Sequence, residues 1–187
     1  MTLDTNSQNH SAKDTLSVLE TLAGKRVLLT GGTGFLGKVV VAMLLHRVPD
    51  VGQIYLLIRG RDLPSAEARL QKELIESPAF DILREQHSTG LESFVHERVT
   101  VIAGDVTERD FGLSPADAQT LAAQTDLIIN SAGLTNFNPS LDTALQVNTL
   151  GVLNVADFAL RCETGRILHV STCYVAGNHD GHIYEDE

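Results

Sequence analysis

The sequence has few of the features that mark secreted or membrane-spanning proteins. Its 187 residues include two cysteines, Cys162 and Cys173, which are too few for a disulfide framework and favour free thiols in a reducing compartment. The longest apolar run, Val39 to Leu45, is far too short to cross a bilayer. Residues 1–14 are polar and contain no apolar segment of the kind found in secretory signals. We therefore expect a cytoplasmic protein without a transmembrane segment.

Positive charge is also scarce. Lys and Arg together number 14 against 24 Asp and Glu, which gives a net charge of −10 at pH 7. Proteins that bind nucleic acid need a basic surface, so this balance argues against DNA or RNA as a partner. It also means that local basic residues must hold any anionic ligand against a repulsive overall field. The length suffices for one sizeable hydrophobic core and is short for two ordinary domains.

The chain does contain an apolar strand, a glycine-rich turn and an apolar helix in direct succession. The strand is predicted at Arg26 to Thr30 and the helix at Phe35 to Arg47. This context favours a dinucleotide-binding fingerprint, because a pyrophosphate can lie against backbone N–H groups at a helix N-terminus. The alternative is a structural glycine turn without a ligand, and the apolar flanks disfavour it.

The glycine spacing fits two versions of this fingerprint. Gly32, Gly34 and Gly37 form G-x-G-x-x-G, whereas Gly31, Gly34 and Gly37 form the G-x-x-G-x-x-G typical of short-chain dehydrogenases/reductases. A side chain at Gly31 or Gly34 would hold a phosphate away or forbid the turn. Gly37 allows the helix to pack closely on the strand.

Strands and helices alternate along the rest of the chain. The further predicted strands are 53–58, 98–103, 127–130 and 167–170, and the further helices are 66–75, 115–123 and 142–160, with a short helix opened by Ser77 as N-cap. This alternation predicts an α/β fold, a Rossmann-like open, mostly parallel sheet with helices on both faces. We assign residues 23–187 to this domain and residues 1–22 to a polar, partly disordered leader with a short helix near Thr15 to Leu22.

Arginine follows the second predicted strand. Arg59 lies about 20 residues after the glycine turn, where NAD-binding proteins carry Asp or Glu for the ribose 2′-hydroxyl, and Arg61 follows closely. The planar guanidinium can bond the oxygens of a 2′-phosphate in pairs. The sequence therefore predicts NADPH as the cofactor, with solvated surface arginines as the alternative.

Two more strand ends carry candidate cofactor contacts. Asp105 is placed to accept a hydrogen bond from the adenine amino group, or it shapes the turn after Gly104. Ser131, Ala132 and Gly133 are small where the backbone must pass close to a ribose of the cofactor, or where a helix packs on the sheet.

Several segments together resemble the extended short-chain reductases, and more narrowly the fatty acyl-CoA reductases of the bacterial alcohol-forming type. These segments are Thr30 to Gly37, Tyr55 to Arg59, Gly104 to Val106 and Ser171 to Val175, with agreement also at Val48 to Gly52, Ile129 to Ala132 and Asn148 to Leu150. The resemblance covers about residues 24 to 187. Together with the residue patterns it implies these cofactor contacts: Gly31, Thr33, Gly34, Phe35, Leu36, Gly37, Arg59, Arg61, Asp105, Val106, Ser131, Ala132, Gly133 and Asn148.

The resemblance implies NADPH-dependent reduction of a long-chain fatty acyl-CoA, first to an aldehyde with expulsion of CoA and then to a fatty alcohol, as in wax ester biosynthesis. In the family a Ser or Thr after the fifth strand, a Tyr and a Lys stabilise and protonate the developing oxyanion. The matched hydroxyl here is Thr172, with Ser171 beside it. Thr172 would hold the carbonyl oxygen near the nicotinamide; alternatively it bonds its own backbone.

The family's Tyr-x-x-x-Lys is absent from these residues, because Tyr55, Tyr174 and Tyr184 each lack a lysine four positions later. We therefore expect the cofactor-binding, N-terminal part of such a reductase, ending just past Thr172 and inactive alone. One alternative is the thioester reductase domain of a carboxylic acid reductase or peptide synthetase, which the short leader without a carrier domain disfavours. Another is a non-catalytic NADP-binding module.

His179 and His182 lie close together in the C-terminal segment. We predict a solvated loop there and no metal site, because no cluster of Cys or Glu accompanies the two imidazoles.

Overall fold

The computed structural model describes residues 17–184, which form a five-stranded parallel sheet. The strands are β1 (Arg26–Thr30), β2 (Gln53–Ile58), β3 (Val99–Ala103), β4 (Leu127–Asn130) and β5 (Ile167–His169). Their order across the sheet is β3-β2-β1-β4-β5, and each neighbouring pair is parallel. The predicted Rossmann-like parallel sheet is confirmed.

Helices connect the strands. They are α1 (Val18–Leu22), α2 (Phe35–Arg47), α3 (Leu63–Arg69), α4 (Asp81–Gln86), α5 (Leu91–Arg98), α6 (Pro115–Ala123), α7 (Leu141–Leu145) and α8 (Gly151–Ala159). A π-helical segment, Leu70–Ile75, continues α3, and a second, Gln146–Leu150, joins α7 to α8. Within residues 17–184, no helix has the length and apolarity needed to cross a membrane.

Helices cover both faces of the sheet. Alternate side chains of a strand point to opposite faces, so each strand packs against helices on both. On β1, Val27 and Leu29 are fully buried against a cluster that includes α2, α3, α4 and α5. Leu28, between them, is fully buried in the other cluster with α6 and α8. In that second cluster the rings of Phe111 and Phe158 lie 4.8 Å apart, centroid to centroid. The sheet is thus packed between two hydrophobic cores, which fix the positions of its strand ends.

Most predicted elements are found, and β1, α2, β2 and β4 have the predicted bounds. Helix α3 begins before the predicted start at Ala66, because Asp62 caps it: Asp62 Oδ1 accepts a hydrogen bond from the N–H of Ser65 at 2.9 Å. Ser77 lies at the predicted N-cap position, but its hydroxyl donates to the carbonyl of Leu74 at 2.7 Å and does not cap the next helix.

Other differences follow from weak local signals. Helix α5 was not predicted, since two buried residues one turn apart, Leu91 and Val95, give little periodicity. The predicted leader helix is present at Val18–Leu22, whereas its predicted start at Thr15 lies outside the described residues, as does the rest of 1–16.

The strand order places a crevice between the carboxyl ends of β1 and β4. The chain leaves β1 toward β2 on one side, and after β4 it proceeds to β5 on the other. In open α/β sheets ligands bind at such a switch point. Thr30 and Asn130, which are register partners, end these two strands. The glycine turn and the segment 131–134 therefore emerge side by side.

Candidate functional site

The glycine turn packs against the segment after β4 with no room for side chains. Gly31 has a φ of +71°, and a Cβ there would lie 2.5 Å from the backbone nitrogen of Ala132. A Cβ on Gly37 would overlap the carbonyl oxygen of Gly31. Only glycine fits both positions, which is the close backbone packing that a dinucleotide fingerprint requires.

The turn opens α2 with free backbone donors. Gly34 is the N-cap of this 13-residue helix, and no side chain caps it. The first N–H groups of a helix lack intrahelical acceptors, and the helix dipole adds partial positive charge at that end. A pyrophosphate would satisfy these donors without any cationic side chain. The residues present therefore fit a dinucleotide.

Two cavities meet over the glycine turn. One, of about 210 Å³, lies toward β2 and β3, and the other, of about 450 Å³, lies toward β5. Both are lined by Gly31, Gly34 and the segment 131–134. An extended ligand can therefore cross the turn with one end in each cavity, as a dinucleotide requires.

Two arginines, Arg59 and Arg69, line the smaller cavity. Arg69 is fixed by Glu73, whose two carboxylate oxygens accept its Nε and Nη2 at 2.8 and 3.1 Å. Its Nη1 donates to the carbonyl of Arg59 at 2.7 Å, and its Nη2 lies 3.5 Å from the hydroxyl oxygen of Thr33. The hydrogen bonds from Arg69 lower the pKa of Glu73. Two guanidinium groups thus border this cavity, one of them paired with Glu73.

Asp105 lines the same cavity and also shapes its own turn. Its Oδ1 accepts hydrogen bonds from the backbone N–H and the hydroxyl of Thr107, both at 2.9 Å. Among residues 17–184, its Oδ2 has no hydrogen-bond partner. The two roles considered for Asp105 are therefore compatible, because one oxygen fixes the turn and the other is left for a ligand.

The larger cavity brings the N-terminus of α2 together with the segment that follows β5. Phe35 and Leu36 line it, and so do Ser171 and Thr172. Thr172 Oγ1 accepts a hydrogen bond from the backbone N–H of Tyr174 at 3.2 Å, so it does bond its own backbone. Because this bond uses only a lone pair of Oγ1, the hydroxyl proton can still be donated to a carbonyl oxygen in the cavity.

Side-chain hydrogen bonds hold the segment after β4 in place. The hydroxyl of Ser131 donates to the carbonyl of Thr30 at 3.0 Å. Asn148 bonds both backbone groups of Leu134, accepting its N–H at 2.8 Å and donating to its carbonyl at 3.1 Å. Asn148 lines the larger cavity, yet its amide is engaged in holding this segment.

The structure brings nearly all the predicted cofactor residues to the two cavities. Arg61 is the exception: it is exposed and lines neither. The cofactor contacts themselves stay predictions. Sequence analysis missed Arg69 and His169, which line the smaller and the larger cavity. The four-residue spacing of Arg69 and Glu73 on a helix was the available signal for the first.

His179 and His182 are both exposed. Residues 17–184 contain no group of three or more His, Cys, Asp or Glu arranged to hold a metal ion.

Comparison with known proteins agrees with this geometry. The sequence matches the NAD-binding family described as Male sterility protein over residues 29–187. It is 38% identical over 174 residues to fatty acyl-CoA reductase 2, chloroplastic, of Arabidopsis thaliana, covering 92% of this chain and 28% of the relative. It is 39% identical over 171 residues to the alcohol-forming fatty acyl-CoA reductase of Simmondsia chinensis, covering 90% and 35%. The chain thus spans about a third of the length of these relatives.

Solved structures show the same fold. The terminal R domain from the myxalamid PKS-NRPS biosynthetic pathway superposes with a TM-score of 0.70 at 29% identity, covering 88% of this chain and 39% of that one. The reductase (R) domain of a non-ribosomal peptide synthetase from Mycobacterium tuberculosis gives a TM-score of 0.68 at 32% identity, covering 87% and 38%. With its glycine turn, paired cavities and match over residues 29–187, the chain belongs to the Male sterility protein family of NAD-binding domains.

Proposed function

We propose that this chain is the cofactor-binding part of an NADPH-dependent reductase of long-chain fatty acyl-CoA, which forms the aldehyde and then the primary alcohol. The observation that carries the proposal is the larger cavity, where Thr172 lies with the N-terminal residues of α2. The names of the relatives, fatty acyl-CoA reductases from plants and insects, support the substrate class.

The proposed chemistry needs a hydride and a group that stabilises the oxygen of the reacting carbonyl. Bound NADPH would supply the hydride at the nicotinamide end, in the larger cavity. The Thr172 hydroxyl is oriented by the N–H of Tyr174, so its proton can be donated to the thioester oxygen as negative charge develops there. Ser171, exposed beside it, is the second hydroxyl of this site. Collapse of the resulting hemithioacetal would release CoA.

The two arginines of the smaller cavity support NADPH over NADH. Arg59 lies at the end of β2 and Arg69 is held by Glu73, so two guanidinium groups border the place where the adenosine ribose would lie. A 2′-phosphate can accept paired hydrogen bonds from such groups, whereas a 2′-hydroxyl gains little from them.

Charge reversal tests the cofactor assignment. Arg59→Glu should weaken NADPH binding about 30-fold and NADH binding less than about threefold, because only the first ligand carries the 2′-phosphate. Fluorescence titration of the reduced nicotinamide measures both. Arg61→Glu makes the same charge change outside the cavities and should alter neither. Equal losses of both ligands in Arg59→Glu would contradict the assignment.

A second candidate function is the thioester reductase domain of a carboxylic acid reductase or peptide synthetase. The likeness to reductase domains of peptide synthetases favours it. Reduction of free palmitoyl-CoA compared with the same acyl group on a carrier protein, by the protein containing this domain, separates the two functions. We expect free palmitoyl-CoA to be preferred.

We also propose that these 187 residues are inactive by themselves, since they contain no Tyr-x-x-x-Lys. The purified chain should bind NADPH without oxidising it in the presence of palmitoyl-CoA. Measurable turnover would show that the Tyr and Lys are not needed. If the chain failed to bind NADPH at all, the proposed function would be wrong.

A further inference from the structure

A row of polar side chains crosses the carboxyl ends of three strands. Thr30 on β1, Asn130 on β4 and His169 on β5 are register partners, and we call them the strand-end row. Thr30 and Asn130 are 0% and 2% exposed, so their polar atoms depend on protein partners. The Thr30 hydroxyl donates to Asn130 Oδ1 at 2.5 Å, and Asn130 Nδ2 lies 3.1 Å from His169 Nδ1.

The direction of each hydrogen bond in the row follows from one backbone group. The N–H of Ala132 lies 3.3 Å from the inner atom of the Asn130 amide. The same N–H lies 3.4 Å from the Thr30 hydroxyl oxygen. Because a backbone N–H can only donate, an oxygen at the inner position is favoured over a nitrogen, which would set two donors against each other. The outer atom of the amide, which faces His169, is then nitrogen and can also only donate.

Asn130 therefore favours one tautomer of the neutral His169 imidazole. Its Nδ1 must accept the hydrogen bond from Asn130, which leaves the proton of a neutral imidazole on Nε2. No hydrogen bond from Nε2 occurs within residues 17–184. His169 lines the larger cavity together with Ser171 and Thr172, so it joins the buried part of the row to the site.

The acceptor on His169 and the N–H of Ala132 favour the same orientation of the Asn130 amide. Without the His169 acceptor, the buried Asn130 nitrogen loses its partner and only the Ala132 N–H opposes a reversed amide, because the Thr30 hydroxyl can rotate to suit either atom. Reversal would turn the Asn130 nitrogen toward the N–H of Ala132, so that two donors face each other. Ala132 would then have to move. It packs tightly against the glycine turn, since a Cβ built on Gly31 would lie only 2.5 Å from its nitrogen. The segment 131–134, shared by both cavities, would shift with it.

We propose that His169 is a positioning residue for the nicotinamide half of the cofactor. As the neutral Nε2–H tautomer it orients Asn130, which holds segment 131–134 against the glycine turn beside the larger cavity. This inference rests on the proposed function, because it assumes that the nicotinamide lies in that cavity. His169 acts through Asn130 and needs no contact with the cofactor.

The tautomer can be measured without any ligand. In a ¹⁵N-labelled sample of the chain, the imidazole signals that disappear in His169→Asn belong to His169. We expect a protonated Nε2 and an unprotonated, hydrogen-bonded Nδ1 at neutral pH. A protonated Nδ1 would overturn the proposal.

Three variants test the positioning role. His169→Leu removes the acceptor, His169→Asn retains one in its amide oxygen, and His179→Leu removes a histidine from an exposed loop as a matched control. Binding of NADPH is compared with binding of adenosine 2′,5′-bisphosphate, which occupies only the adenosine side. His169→Leu should weaken NADPH binding about tenfold, the effect of one unpaired hydrogen-bonding group. It should weaken binding of the bisphosphate less, because His169 lines only the larger cavity although segment 131–134 lines both. His169→Asn should restore most of the NADPH affinity.

Two results would overturn the positioning role: NADPH binding by His169→Leu as tight as that of the natural protein, or equal loss of NADPH and the bisphosphate. Failure of His169→Asn to recover affinity would do the same, because the acceptor would then be irrelevant. Failure of the unmodified chain to bind either ligand would refute the proposed function itself, and the ¹⁵N spectrum would still decide the tautomer. Circular dichroism of each variant checks that it is folded.

Discussion

The two sides of the sheet differ in how completely the described residues enclose them. The adenosine side (β1, β2 and β3 with α2 to α5) contains β2, whose Ile54, Leu56 and Ile58 are at most 1% exposed. The nicotinamide side (β4, β5 and residues 131–184) contains β5, whose Ile167 and Leu168 are 39% and 53% exposed. Strand β2 lies between two strands and under helices, whereas β5 pairs with β4 at the edge of the sheet described.

The burial of the adenosine side suits the binding role proposed for it. In the proposed function, backbone groups and an arginine fixed through Glu73 would hold adenosine and pyrophosphate, and such contacts need a rigid, buried support. On the nicotinamide side, more of the described side chains are exposed. Phe137 and Tyr174, 89% and 72% exposed, meet edge to face on that side with ring centroids 6.4 Å apart.

The largest expected effect tests burial on the two sides directly. Leu56→Ala on β2 should lower the free energy of unfolding by about 3 kcal/mol, because it removes a fully buried side chain and leaves a cavity. Leu168→Ala, the matched change on β5, should cost about 0.5 kcal/mol or less, since this side chain is already half in solvent. Urea denaturation measures both. Equal losses would show that β5 contributes as much to the core as β2.

The next effect concerns the turn between the two sides. Gly37→Ala should weaken NADPH binding about 100-fold, because the added methyl overlaps the carbonyl of Gly31 and must displace the turn that carries the phosphate donors. Gly90→Ala is the matched control, since a Cβ there would meet no atom within 4 Å. Fluorescence titration of NADPH gives both affinities. Unchanged binding in Gly37→Ala would exclude the turn as the phosphate site.

The buried strands were predicted better than the helices around them, for physical reasons. Strands β1, β2 and β4 are continuous apolar runs because helices cover both their faces, and such runs are visible in a single sequence. Helix α3 was misplaced because its start depends on Asp62 and Ser65 bonding each other, a local exchange that apolar periodicity does not record. The π-helical segments were not predicted either.

Within the site, residues next to strand ends were predictable and residues brought in by helices were not. Arg59 and Asp105 directly follow strands, so topology alone brought them to the crevice. Arg69 comes from the last turn of α3, and its approach depends on how that helix packs. His169 lies inside a predicted strand, and its role depends on the orientation of the Asn130 amide, which requires coordinates.

A smaller effect tests this second arginine. Arg69→Met should weaken NADPH binding about tenfold, because one charged donor to the 2′-phosphate is lost, and should change NADH binding little. Arg61→Met, an arginine outside both cavities, serves as the control. If Arg69→Met affected NADPH and NADH alike, Arg69 would support the fold of the adenosine side without recognising the phosphate.

The smallest effect concerns the ion pair that joins the two sides at the amino ends of β1 and β4. Asp126 accepts hydrogen bonds from the backbone N–H and Nε of Arg26 at 2.8 and 3.1 Å, and from its Nη2 at 2.8 Å. These bonds lower the pKa of Asp126 from 3.8 to about 2. We expect Asp126→Asn to lower the free energy of unfolding by about 1 kcal/mol at neutral pH, since the pair is partly exposed and screened.

The pH dependence of this effect distinguishes the ion pair from a loss of packing. Because the pKa of Asp126 is lower in the folded protein, its stabilisation is complete above pH 3.8 and disappears as the pH falls toward about 2. The unfolding free energies of the natural protein and Asp126→Asn should therefore converge in acid. Asp180→Asn removes the same charge from an exposed loop. Its difference in unfolding free energy from the natural protein should not change with pH in this way. If the difference in unfolding free energy between the natural protein and Asp126→Asn stayed constant across this range, Asp126 would stabilise the fold through packing and not through its charge.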